Sequence, residues 1–78
     1  MGMRKRPLQI GWYQWNPVRI FSGEGEFPYV VDFGPDLPLE EERSLVGAHN
    51  TALAMAQNVH FRHLPFQADI AWRDLTAA

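Results

Sequence analysis

"LQIGWYQWNPVRIFSGEGEFPYVVDF", residues 8–33, decides the fold class. Its first third alternates, with Leu8, Ile10 and Trp12 on one side and Gln9, Gly11, Tyr13 and Trp15 on the other. A period of two carried by aromatic and β-branched residues is the pattern of a strand. Asn16-Pro17 is a turn signal. Val18 to Phe21 alternates again, and Ser22 to Glu26 reads as a flexible hairpin loop in which Gly23 and Gly25 supply the backbone angles of a tight reversal. A third strand follows over 27–33, with Phe27, Tyr29, Val31 and Phe33 on one face. Pro28 has no N–H to give to a ladder, so its end of the strand belongs at an edge or a bulge.

Downstream the period changes. Asp36 reads as an N-cap, Pro38 is tolerated in a first turn, and Glu40, Glu41 and Glu42 suit the positive end of a helix. The predicted helix runs to about Asn58. One side carries Leu45, Val46, Ala48, Ala52, Leu53, Met55, Ala56 and Val59, and the other is polar. The alanines imply a close approach of helix to sheet. Pro65 blocks a continuous helix through 61–65. Residues 69–75, DIAWRDL, are read as a strand that returns to the sheet and places Ile70 and Trp72 together. The expected architecture is α+β: a small antiparallel sheet of three to four strands, in β-β-β-α-β order, with one amphipathic helix on one face. Residues 1–7 form a flexible basic tail, and residues 8–78 a single domain.

Composition narrows the chemistry. The absence of cysteine excludes disulfides, thiolate ligands and cysteine nucleophiles. Lys5, the only lysine, sits in the tail, a poor place for Schiff-base chemistry or phosphate binding. Only Ser22 and Ser44 could serve as serine nucleophiles, and neither lies in a strand-to-helix elbow. No apolar run follows the basic N-terminus and none approaches the roughly 20 residues of a membrane span, so the expectation is a cytoplasmic protein without a membrane or cofactor. With 13% aromatic residues, a chain this small has apolar surface to cover, which makes a homodimer compatible with every functional reading.

Charge is distributed unevenly. Residues 24–42 hold seven of the nine acids and no Lys or Arg, whereas residues 1–23 hold Arg4, Lys5, Arg6 and Arg19 and no acid. An acidic segment of this kind steers a basic partner and can compete for a site that normally holds nucleic-acid phosphates. The expected function is therefore non-enzymatic: a protein-protein interaction module, inhibitor or adaptor, of the size and charge of a phage or mobile-element anti-defence (anti-CRISPR-type) inhibitor. Glu24, Glu26, Glu40, Glu41 and Glu42 would supply the charge, and Tyr13 and Trp15 the aromatic anchors. A small nucleic-acid-binding regulator using Arg4, Lys5 and Arg6 is the first alternative, ranked lower because the body of the chain offers no basic stripe.

The second alternative is metal binding by "HNTALAMAQNVHFRH", residues 49–63, which holds every histidine. On one continuous helix His49, His60 and His63 would fall within about 60° of one another. Pro65 argues against that continuity, and any further ligand would have to be Asp69 or Asp74. His49 falls among the apolar residues between Leu45 and Leu53, which points to a packed, neutral histidine hydrogen-bonded to a neighbour.

Overall fold

The computed structural model describes residues 6–35 and 37–76, with the backbone alone at 59 and 60. Asp36, assigned above as an N-cap, and Arg4 and Lys5 of the basic tail lie outside the described residues.

The 8–33 stretch forms β1 (Gln9–Tyr13), β2 (Asn16–Glu24) and β3 (Phe27–Asp32), an antiparallel meander. Gln14, in the β1–β2 turn, has φ 57°, a conformation that non-glycine residues seldom take. The last strand, β5 (Ala71–Asp74), pairs antiparallel with β1, as DIAWRDL suggested.

The sheet is larger than expected. Glu40–Glu42 is not the start of a helix but a fourth strand, β4, paired with β3 in the register Tyr29–Glu42, Val30–Glu41 and Val31–Glu40. The sheet therefore has five strands in the order β4-β3-β2-β1-β5, and the chain runs β-β-β-β-α-β. Three consecutive glutamates are poor strand formers in a sheet interior, but β4 is an edge strand, where charge discourages pairing with another chain. Helix α1 (Leu45–Met55) begins after it, capped by Ser44, whose Oγ accepts from the Gly47 N–H at 2.9 Å. It is also shorter than expected at its far end: Ala56–His60 is a π-helical turn, closed by the Phe61 N–H on the Ala56 carbonyl at 2.8 Å.

The helix covers one face of the sheet. Ala48, Ala52 and Ala56, spaced four apart, have no solvent exposure and lie on that face. Their small side chains admit the branched and aromatic residues beneath: Tyr13, Val18, Ile20, Val31 and Ile70 complete the buried core. Val46, placed on the apolar side by its spacing, points away from the sheet and is 69% exposed. The inward side of β1 is the one bearing Gln9, Gly11 and Tyr13. Gly11 is the reason: a Cβ there would lie 2.5 Å from Ile70 Cγ2 and 2.7 Å from Trp72, so only glycine lets the neighbouring strand lay its indole across β1.

Candidate functional site

The register brings Glu24, Glu26, Glu40, Glu41 and Glu42 to the β3–β4 side of the sheet. Glu24 ends β2, Glu26 lies in the β2–β3 turn, and Glu40, Glu41 and Glu42 line the β4 edge beside β3. Among the described residues one ion pair reaches these glutamates: Arg43 pairs with Glu26 at 3.3 Å and lies over the Phe27 ring at 5.3 Å. Both members of that pair are solvated, so it contributes little to stability.

The five are not equivalent. Glu42 Oε2 accepts from the Thr51 hydroxyl at 2.6 Å and so ties the edge strand to the helix. Glu24 and Glu41 are exposed, and neither carboxylate has a hydrogen bond or ion pair among the described residues. They are the acids most available to a partner.

The two aromatic residues expected beside them separate. Tyr13 is 2% exposed, its ring stacked on Phe61 at 6.1 Å and its hydroxyl accepting from the Gln67 N–H at 3.1 Å, so it belongs to the core and presents nothing to a partner. The alternation that grouped Trp15 with Tyr13 stops at the turn, and Trp15 is 69% exposed. It stands at the β1–β2 end of the sheet, away from the β4 edge.

That end is held by a residue the sequence does not advertise. The Gln67 side chain accepts from the Gln14 N–H at 2.6 Å and donates to the Trp12 carbonyl at 3.0 Å, while Gln14 Nε2 donates to the Pro65 carbonyl at 3.1 Å. Gln57 Nε2 donates to the Gln67 carbonyl as well. The segment after the π-turn is thus pinned to the β1–β2 hairpin. A lone glutamine in a Pro-containing loop gives no periodicity to detect. The π-turn also sends Phe61 between Tyr13 and Phe33 (5.9 Å), where it walls an open depression of about 480 Å³ shared with Arg19 and Leu37.

The histidines do not converge. His49 Nε2 lies 2.6 Å from Gln9 Oε1, and its ring stacks on Trp72 at 4.5 Å, 14° from parallel. Desolvation by this packing lowers its pKa from the ordinary 6.5, with the Asp69 charge pulling weakly the other way. Beside it the indole N–H of Trp72 is buried and has no hydrogen-bond partner among the described residues. His63 is exposed in the turn after the helix, and the His60 side chain is not described. Among the described residues no three His, Cys, Asp or Glu side chains gather as a metal site. Of the basic tail, Arg6 is exposed. No helix among the described residues is long and apolar enough to cross a membrane.

Comparison with family models, with curated proteins and with solved structures gave no match to this chain.

Proposed function

We propose that this chain acts by binding a basic protein through its acidic edge, as an inhibitor or adaptor rather than as an enzyme. The supporting observation is spatial: Glu40–Glu42 form the edge strand β4, and Glu24 and Glu26 lie at the β2–β3 turn, which Arg43 joins to β4 through its pair with Glu26. A surface of one sign speeds encounter with a partner of the other and fixes its orientation. Ser44 caps the helix and His49 is held by Gln9 and Trp72, which supports the non-enzymatic reading for these two residues.

A partner whose basic surface normally contacts nucleic-acid phosphates suits an edge of this kind, which is the anti-defence reading in physical terms. Glu24 and Glu41 carry the steering, and Glu42 holds the edge in place. The test is to immobilise the wild-type chain and the Glu24→Lys/Glu41→Lys variant and expose both to host lysate. Proteins and nucleic acids are then identified in the same salt-gradient eluate. A basic protein should be retained by the wild type, leave as salt rises, and be missing from the variant. Equal retention by both columns, or nucleic acid retained without protein, refutes the proposal.

A further inference from the structure

The sheet has a second face that no helix among the described residues covers. The cross-strand pairs identify it: Ile10 opposite Arg19 and Arg73, Trp12 opposite Pro17 and Ala71, Arg19 opposite Asp32, and Phe21 opposite Val30. Leu75 continues this side beyond β5, where its N–H donates to the Leu8 carbonyl at 2.8 Å. Trp12 is 42% and Leu75 44% exposed, and Ile10, Phe21 and Val30 are only half-covered by their own neighbours. The helix-free face is therefore an apolar band crossed by one row of charge, Asp32–Arg19–Ile10–Arg73.

We propose that this face packs against the same face of a second copy, giving a two-fold β-sandwich. The charge layout selects the occupant. The acids, Asp32 and Glu41, lie toward β4, and the arginines lie on the central strand β2 and the far edge strand β5. A two-fold axis parallel to the strands, between β1 and β2, places β3 of one copy over β5 of the other. Asp32 then faces Arg73 of the second copy, Val30 faces its Leu75, and Pro17 faces its Trp12. Each contact occurs twice, which is the self-complementarity that an isologous interface requires.

Arg19 sits at the centre with no ion pair or hydrogen bond among the described residues, and Asp32 stands directly across from it in the β2–β3 register. A second sheet at the usual separation of about 10 Å would exclude water from this row and strengthen the attraction of Asp32 for Arg73 of the second copy and for Arg19 beside it. With the axis between β1 and β2, four strands of each copy overlap, β3, β2, β1 and β5; about 4.8 Å apart and about 17 Å long, they give a flat footprint of roughly 330 Å² per copy. An area of this size belongs to a weak, concentration-dependent association. The glutamate edge of β4 disfavours the other sheet-based route, strand pairing edge to edge.

Sedimentation equilibrium of the full chain at rising concentration tests this. The wild type should pass from the 9.0 kDa of one chain to twice that mass. Val30→Glu should remain monomeric with an unchanged circular dichroism spectrum. Arg73→Asp should weaken association at least about tenfold, and adding Asp32→Arg to it should restore the dimer. A folded wild type that stays monomeric at near-millimolar concentration overturns the proposal, as does a dimer that Val30→Glu and Arg73→Asp leave intact. If Val30→Glu does not fold, the Arg73→Asp variant and its partner substitution decide on their own. Glu24→Lys, at a residue off the helix-free face, should leave this association unchanged while weakening retention of the basic partner, so failure here is distinguishable from failure of the acidic-edge reading.

Discussion

Ile20 and Phe21 are neighbours in β2 and live on opposite faces of one sheet. Ile20 has no solvent exposure and sits under a stripe of alanines, while Phe21 is half-covered on the helix-free side. The covered face is built by subtraction: Gly11 and three alanines are small so that Trp72, Tyr13 and the branched residues fit. The helix-free face keeps large side chains at most positions and adds Arg19, Asp32 and Arg73 among them. A face that merely met water would not need Ile10, Trp12, Phe21 and Val30 together. The contrast separates a surface shaped to be filled by its own chain from one left for another.

The sharpest way to break that contrast is to truncate the two neighbours in turn. Ile20→Ala should destabilise the chain by about 2–5 kcal/mol, enough to unfold much of it, because the cavity lies at the centre of the core. Phe21→Ala, measured at concentrations where the chain is monomeric, should cost about 1 kcal/mol or less. Equal losses in thermal unfolding would show that the helix-free face is also core. Gly11→Ala comes next. Trp72 or Ile70 must move to admit the new methyl, at a cost of about 1–3 kcal/mol and with an altered tryptophan emission. Ser44→Ala should cost about 1 kcal/mol, since the Gly47 N–H loses its cap.

The smallest expected effect is with pH. The folded state lowers the His49 pKa, so below the ordinary value of 6.5 the unfolded chain binds the proton more readily. The stability His49 contributes is therefore present above about pH 6.5 and is lost as pH falls through the folded-state pKa. His49→Gln should flatten that part of the stability profile, and an unchanged slope between about pH 7 and 5 would assign it to other groups.

Much of this was legible in the sequence for a physical reason. The strands over 8–33 and the helix bury one side each, so their periods of two and 3.6 are written in residue type. The edge strand Glu40–Glu42 was not legible, because three charged residues have no alternation and only their register with β3 makes them a strand. They look like a helix start, yet Ser44, immediately before Leu45, is the true N-cap signal. Which side of β1 faces inward could not be read either, since Gly11 acquires meaning only once Trp72 lies across it. The acidic segment was visible as a run. Its division into a structural acid, Glu42, and the available acids Glu24 and Glu41 required Thr51 to be placed.

The most direct test of the account is capture from host lysate on three columns in parallel: wild type, Glu24→Lys/Glu41→Lys and Val30→Glu. A basic protein should be retained by the wild type and by Val30→Glu but not by the charge-reversed variant. Retention of the same protein by the charge-reversed column, with its loss only from Val30→Glu, would place partner binding on the helix-free face and contradict the role given to the acidic edge.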